Sequence, residues 1–396
     1  MGRAPVVGDR EIGHRPIRTA PQGLARLAVG AVSRNTVAAA TELAYEARCR
    51  IMLIASRRQV DCAELGGGYV EGWSAETLAE FVRARDPDGR VVLARDHGGP
   101  WQHPSEAAAD EDTAVSSAVE SFRHDLRAGF ELLHVDTTAT PHGECADDAA
   151  MERLVRTYAR VAEDAGGCGR EVGFEVSLGP EGAEVTRAQP FRDRLQALIA
   201  ELGTRGLPIP LFVVTATGTK VRGMENVGAL SDARRRGRTA GRLRGLVGAC
   251  TAAGVRLKAH NCDYLDAAAW AELRASGVDA ANVAPEYGLA ETRALVDLLR
   301  STGLAGIADD FVTAAYDSGA WRKWVSGGPA LSPPQLGLLA GHYLFSSSEG
   351  RAVRALAAER LSGGAAELDA RLRRRLKEII RAHLREMARR PGLPVR

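Results

Sequence analysis

Eight short apolar runs recur along this chain, and a segment with helical periodicity follows each of them. The runs cover residues 26–33, 50–56, 90–97, 130–138, 170–179, 207–218, 254–261 and 279–288. Each run is continuously apolar rather than alternating, as in strands that are buried on both faces of a parallel sheet. Eight strand–helix units in about 260 residues match a (β/α)8 barrel in number and in total length.

A doubly wound α/β sheet is the alternative for a chain in which strands and helices alternate. Such a sheet normally carries a glycine-rich phosphate-binding motif after its first strand. Neither GxGxxG nor GxxxxGK followed by Ser or Thr occurs there. We therefore predict a TIM barrel over residues 25–300, preceded by a flexible arm at residues 1–24. Residues 301–396 are predicted to form a helical extension that packs on the barrel.

Charge and cysteine content argue against several classes of protein. The 396 residues carry a formal net charge of +2, and the six cysteines form no CxxC pair. The small charge gives no reason to expect nucleic acid as a partner, and the cysteine spacing indicates neither a disulfide framework nor a cysteine zinc site. No apolar signal region opens the chain, and no apolar run approaches the roughly 18 residues that span a bilayer. We expect a cytoplasmic homo-oligomer without a membrane partner.

Ionisable and amide side chains cluster where the predicted strands end. In chain order they are Asp96, His97, Glu175, His260, Asn282 and Glu286. The active sites of TIM barrels lie at the carboxyl ends of the strands, in the loops that follow them. The spacing therefore predicts one site that is assembled from several strands.

The residue types at these strand ends suit a divalent cation, with Zn²⁺ as the first candidate. Catalytic metal sites commonly use three protein ligands, and imidazole nitrogens and carboxylate oxygens are suitable donors. We predict His97, Glu175 and His260 as the ligands and Asp96 as the general base, with Glu286 as a second catalytic carboxylate. A metal that polarises a ketose carbonyl stabilises the enediolate, which is what carbon–carbon bond formation or cleavage beside that carbonyl requires.

Further polar residues are assigned to the substrate. The predicted substrate-binding residues are Asn282, Asp263, Asp136, Gln59 and Lys220. His134 and Asp136, at the end of the fourth strand, are also candidates for hydrogen bonds that orient the ligands. Lys220 and Lys258 leave a rival mechanism open, because a Schiff-base aldolase needs one desolvated lysine inside a barrel.

Two sequence blocks carry a resemblance to a known family. They are VDCAELGGGYVEGWSAETLAEFV (60–82) and VVLARDHGGPWQ (91–102), followed in order by LLHVDTT, FEVSLG and LKAHNCDYL. Together they resemble the GatZ/KbaZ family, whose members are subunits of class II D-tagatose-1,6-bisphosphate aldolase. The resemblance implies a class II aldolase-type TIM barrel with Asp96 as base, His97 and His260 as zinc ligands, Glu175 as a metal-associated glutamate and Asn282 in contact with substrate.

The chain departs from the catalytic aldolases of that superfamily in two places. Thr217 or Gly218 stands where a further zinc-binding histidine is expected on strand six, and NCDYL replaces the Gly/Ser-rich phosphate loop after strand seven. Two functions remain open. The first is a metal-dependent class II-type aldolase or aldol-transfer enzyme whose ketose or sugar substrate need not be phosphorylated. The second is a non-catalytic companion that supports a separate class II aldolase subunit.

Overall fold

Eight parallel strands close into a barrel in a computed structural model that describes residues 25–145, 147–325 and 331–388. The strands are β1 (Leu27–Gly30), β2 (Ile51–Ser56), β3 (Val91–Gly98), β4 (Leu132–Val135), β5 (Gly173–Ser177), β6 (Phe212–Val214), β7 (Arg256–Ala259) and β8 (Ala280–Val283). Neighbours in sequence are neighbours in the barrel, and β8 pairs with β1 to close it. The predicted (β/α)8 barrel is confirmed, and the predicted arm at residues 1–24 lies outside the described residues.

One helix follows each strand and covers the outside of the barrel. These helices are α1 (Arg34–Glu46), α2 (Ala75–Arg83), α3 (Glu111–Ala128), α4 (Asp148–Gly166), α5 (Ala188–Thr204), α6 (Arg236–Ala252), α7 (Ala267–Ala275) and α8 (Pro285–Ser301). Capping side chains fix where several of them begin: Ser33, Ser74, Asp110, Asp147 and Asp266 each accept a backbone N–H of the first turn. Such a cap satisfies a donor that the helix itself leaves unpaired.

The barrel interior changes from apolar to polar along the strands. Ala28, Ile54, Ala94, Leu132 and Phe212 belong to one small apolar cluster. Side chains alternate between the two faces of a strand, so positions two residues further along point to the same interior. Asp96, His134 and Lys258 are buried polar residues at such positions or beside them. The interior is therefore closed by apolar packing at one end and carries ionisable groups at the carboxyl ends of the strands.

The chain continues after the barrel with more helices. They are α9 (Ala305–Asp317), α10 (Arg322–Val325), α11 (Pro333–Ala340), α12 (Ser348–Glu359) and α13 (Gly364–Ala388), with a 3-10 turn at Gly341–Leu344. Helix α13 packs against α1, α7 and α8. Helix α10 and the 3-10 turn contribute residues to the cavity at the barrel mouth. Within the described residues, no helix is both long enough and apolar enough to cross a membrane.

Candidate metal centre and its cavity

A cavity of about 390 Å³ opens at the carboxyl ends of the strands. Strand ends supply Asp96, His97, His260 and Asn282 to its lining, whereas the C-terminal extension supplies Lys323, Trp324, His342 and Tyr343. A volume of this size and a mixed polar and aromatic lining are typical of a site for one small organic molecule.

The backbone that carries His97 is held in an uncommon conformation. Its φ is 44°, and the pairing of β3 with β4 shifts register between Arg95 and Gly98. A Cβ on Gly98 would lie 2.6 Å from Arg95 Cγ, and a Cβ on Gly99 would lie 1.9 Å from the Asp136 carbonyl oxygen. Gly99 thus allows the bulged end of β3 to lie against the end of β4, whereas Gly98 leaves room for the side chain of Arg95. This bend lets Asp96 and His97, although adjacent in sequence, both face the cavity.

Three imidazole rings meet at the bottom of the cavity. The ring centroids of His97, His134 and His260 lie 5.2–5.4 Å apart, and one nitrogen of each lies within 4.8 Å of the others. The His97 side chain is 32% exposed and is accessible from the cavity, whereas His134 is fully buried. His134 accepts the backbone N–H of His97 at Nδ1, and its Nε2 lies 2.9 Å from Ser177 Oγ. The group has the donor type and spacing of a metal site.

Asp136 orients the His97 ring. One carboxylate oxygen lies 2.7 Å from His97 Nδ1, and the other accepts hydrogen bonds from the backbone and side chain of Thr138. Gln102 also donates to Asp136, so the carboxylate is well satisfied. A carboxylate on Nδ1 fixes the tautomer and leaves Nε2 with its lone pair directed away. We therefore assign Asp136, which also lines the cavity, to positioning rather than to the substrate.

Glu175 lies beneath His260 rather than in the cavity lining. Its carboxylate accepts a 2.6 Å hydrogen bond from Lys258 Nζ and lies 2.9 Å from His260 Nε2. Glu175 and Lys258 are both buried, and neither lines the cavity. Burial raises the pKa of Glu175, but the Lys258 charge outweighs that effect and lowers it to about 2. The spacing of the ligand atoms groups His134, rather than Glu175, with the two predicted histidine ligands His97 and His260.

Glu181, in the loop after β5, is a site residue that sequence reasoning missed. Its Oε1 lies 2.6 Å from His260 Nδ1 and 3.7 Å from His97 Nε2. That oxygen is buried and has no well-aligned hydrogen-bond donor among the described residues. The other oxygen accepts a hydrogen bond from Asn261. A buried carboxylate oxygen without a donor is what a bound cation would satisfy.

The charges of the cluster act strongly on one another. Burial lowers the pKa of His97, but the negative charges of Asp96, Glu181 and Asp136 outweigh it and raise the pKa well above its usual value. The pKa of His260 is raised to about 9, because the carboxylates of Glu181 and Asp96 outweigh its burial. Burial alone would raise the pKa of Asp96. The neighbouring imidazoles outweigh burial and hold this pKa well below its usual value. The cluster therefore attracts positive charge, either protons or a metal ion.

Asn282 connects this cluster to the space for a ligand. Its Nδ2 donates to Asp96 Oδ1 at 3.1 Å, whereas its buried Oδ1 has no hydrogen-bond partner among the described residues. The cavity lining includes three of the residues that we predicted to bind substrate: Asn282, Gln59 and Asp263. Asp263 Oδ1 accepts the backbone N–H groups of Ala284 and Glu286, and it thereby joins the loops after β7 and β8.

Three of the predicted site residues are not among the residues that line the cavity: Glu175, described above, Glu286 and Lys220. Glu286 Oε2 accepts the backbone N–H of Tyr264 and lies 3.6 Å from His383 Nε2. Lys220 follows β6, and its backbone N–H donates to Asn226. We therefore assign neither Glu286 nor Lys220 to catalysis or substrate contact. Glu286, in the first turn of α8, holds the loop after β7 through Tyr264, and the backbone of Lys220 is held by Asn226.

Comparison with known proteins shows the fold. No family model and no curated protein sequence matches the chain. A structure from Sinorhizobium meliloti 1021, described as a probable tagatose 6 phosphate kinase, matches with a TM-score of 0.71 and 18% identity over 92% of this chain and 99% of that one. The fructuronate-tagaturonate epimerase UxaE from Cohnella laeviribosi matches with a TM-score of 0.57 and 14% identity over 93% and 82%. The YdjI aldolase from Escherichia coli K12 matches with a TM-score of 0.51 and 12% identity over 93% and 92%. The chain thus shares its barrel fold with these three structures.

Proposed function

We propose that this chain is a metal-dependent enzyme of the class II aldolase type that makes or breaks a carbon–carbon bond in a ketose or sugar. The observation that carries the proposal is the meeting of three imidazoles with Asp96 and Glu181 at the mouth of the barrel. These residues come from the ends of β3, β4 and β7 and from the loop after β5. A cluster of ionisable groups at this end of a TIM barrel is the expected place for chemistry.

The residues fit a divalent cation. His97, His134 and His260 would hold it through nitrogen, and Glu181 offers an oxygen that has no well-aligned hydrogen-bond donor among the described residues. Charge also favours a cation, because four carboxylates lie around the imidazoles and Lys258 is paired with one of them. Those carboxylates are Asp96, Asp136, Glu175 and Glu181. When bound, such an ion supplies a Lewis acid that polarises a carbonyl and its neighbouring hydroxyl.

The chain's own residues supply orientation and proton transfer. Asp96 lines the cavity and is ionised, so that it can take a proton from a substrate hydroxyl. The Oδ1 atom of Asn282 is free to accept a hydrogen bond from another hydroxyl, while its Nδ2 holds Asp96. Two pairs fix the imidazoles: Asp136 on His97 and Glu175 on His260. The arrangement therefore positions a polyhydroxy substrate against a general base.

Similar solved structures support the same class of chemistry. Proteins of the same fold are named as an aldolase and as a fructuronate-tagaturonate epimerase, and both names refer to enzymes. Membership of the GatZ/KbaZ family, and the zinc that it implies, remain predictions from the sequence motifs. Cytoplasmic location and assembly into a homo-oligomer also remain predictions.

The test is the metal content of the purified chain together with aldol turnover. About one equivalent of a divalent metal is expected in the native chain, and His97→Ala is expected to lose it, because removal of a ligand weakens metal binding. His142→Ala is the matched control, since His142 is exposed and is not part of the imidazole cluster. Aldol cleavage or formation should be lost with the metal. Absence of metal from both proteins after reconstitution would contradict the proposal, and co-purification of an active class II aldolase would then support the companion-subunit function.

A further inference from the structure

Two positive side chains at the cavity have no negative partner. Arg58, which follows β2, and Lys323, in α10, both line the cavity and are exposed. Neither forms an ion pair with any residue in the described part of the chain. By contrast, the neighbouring Arg57 is buried and paired with Asp61 and Glu106. Unpaired cations that face a concave site are candidates for binding an anionic group.

Aromatic rings hold the ammonium group of Lys323 in place. Its Nζ lies 4.8 Å from the centroid of the Trp324 ring and 4.9 Å from that of Tyr343. The rings desolvate the ammonium group even though the residue as a whole is exposed, and the charge of Arg58 acts on it as well. Together these effects lower the pKa of Lys323 to about 8. An ammonium group that is desolvated and lies near another positive charge is stabilised when an anion binds beside it.

Hydroxyl groups add further donors to this part of the cavity. Trp324 Nε1 donates to Tyr343 Oη at 3.1 Å, so the hydroxyl hydrogen of Tyr343 remains available for a ligand. The ring of Tyr69 packs edge-on against Tyr343, with the centroids 4.8 Å apart. We call Arg58, Lys323 and Tyr343 the basic end of the cavity. Its members can all donate hydrogen bonds, and no carboxylate acts on Lys323.

Carboxylates cluster at the other end of the cavity, beside the imidazoles. Burial raises the pKa of Glu144, and the negative charges of Glu181 and Asp136 raise it further. The cavity therefore has a basic end beside the C-terminal extension and an acidic end beside the imidazole cluster. A ligand that suits both ends carries one anionic group and, away from it, hydroxyl or carbonyl groups.

We propose that the basic end binds a phosphate monoester on the sugar substrate, so that the substrate carries one phosphate rather than two or none. The inference rests on the proposed function and names the substrate class of that same site. Arg58 and Lys323 together carry two positive charges, which match a phosphate monoester of about −1.5 to −2 better than a carboxylate. The carboxylates at the acidic end would repel a second phosphate. The loop after β2 and the C-terminal extension would together supply the contacts to this phosphate.

The experiment measures binding of methyl phosphate and of acetate to the metal-free full chain by isothermal titration calorimetry at pH 7. We expect methyl phosphate to bind at least about tenfold more tightly than acetate. Arg58→Gln and Lys323→Met should each weaken methyl phosphate binding by about tenfold or more, the usual effect of losing a charge-assisted hydrogen bond. Arg238→Gln and Lys377→Met are matched controls, because they remove the same charges from α6 and α13, and they should bind as the native chain does.

The outcomes separate this inference from the proposed function. Methyl phosphate binding that depends on Arg58 and Lys323 supports the subsite even if the chain proves to hold no metal. Metal binding by a chain that does not bind methyl phosphate overturns the subsite and leaves the proposed function standing. Equal affinity for acetate, or equal weakening by the control variants, also overturns it. Both tested side chains are exposed, so their variants should retain the native melting temperature.

Discussion

Replacement of Lys258 by methionine tests how the buried charges of the site are held together. Lys258 Nζ lies 2.6 Å from Glu175 Oε2, and the two side chains are 1% and 0% exposed. Methionine keeps most of the volume of the lysine stem but removes the charge. Breaking one side of a buried ion pair typically costs about 3–5 kcal/mol, because the remaining charge stays desolvated. We expect Lys258→Met to lower the free energy of unfolding by about that amount at pH 7.

The pH dependence gives the sign of this effect. In the native chain the folded-state pKa of Glu175 is about 2, below its unfolded value, so its contribution is present above the unfolded pKa and is lost as pH falls through about 2. Without Lys258 the buried Glu175 acquires a raised pKa, and its stability contribution is then lost as pH rises through that value. The destabilisation caused by Lys258→Met should therefore be smaller at pH 5 than at pH 8.

Urea unfolding of four proteins measures the coupling. They are the native chain, Lys258→Met, Glu175→Gln and the double variant, compared at pH 5 and pH 8. The double variant should recover most of the lost stability, since it leaves no charge unpaired. Lys377→Met serves as the control for a lysine on α13. A loss below about 1 kcal/mol for Lys258→Met, or a loss equal at both pH values, would refute the idea that Lys258 neutralises Glu175.

Three further predictions follow from the site. Protons compete with a metal for His97, whose pKa is raised well above its usual value, and for His260, whose pKa is raised to about 9. Metal affinity should therefore increase from pH 6 to pH 8 with release of protons. Calorimetry in buffers of different ionisation enthalpy measures this, and a pH-independent affinity would contradict it. Borohydride with a ketose should trap no adduct on Lys258, because its Nζ is hydrogen-bonded to Glu175 and the residue does not line the cavity. A reduced adduct found by peptide mass spectrometry would establish the Schiff-base route instead. Gly99→Ala should lower the free energy of unfolding by more than about 2 kcal/mol, since the new Cβ would lie 1.9 Å from the Asp136 carbonyl oxygen. Gly166→Ala is the control, because a Cβ at Gly166 would meet open space. In the same unfolding assay it should be neutral or slightly stabilising.

The fold was predictable because strands that are buried on both faces of the sheet are continuously apolar in sequence. Each of the eight apolar runs coincides with a barrel strand. Seven of the strands are shorter than their runs, and β3 is as long as its run but ends one residue later, at Gly98. The run at 207–218 contains only β6, Phe212–Val214. Pro208 and Pro210 lack the N–H group that a strand needs for its ladder, which explains why the regular pairing begins after them. Strand length depends on these local breaks as well as on hydrophobicity.

The candidate site was partly predictable for the same reason. Residues at the carboxyl ends of strands can be placed from the strand pattern alone, and Asp96, His97, His260 and Asn282 do line the cavity. The roles of Glu175 and His134 depend on distances across the barrel. Lys258 and Glu175 are 83 positions apart in sequence, and nothing local indicates that they form a pair. Assignment of metal ligands therefore needed the three-dimensional structure.

The basic end of the cavity shows what sequence patterns leave undetermined. Arg57 and Arg58 are adjacent and chemically identical, yet the first is buried among Asp61, Glu106 and the backbone of Gly99, whereas the second faces the cavity. Both residues lie in the turn after β2, and the position of their partners decides which charge remains unpaired. Lys323 comes to the cavity from a helix beyond the barrel. A binding site built from residues so far apart is defined by which charges lack a partner, and that property belongs to the folded chain.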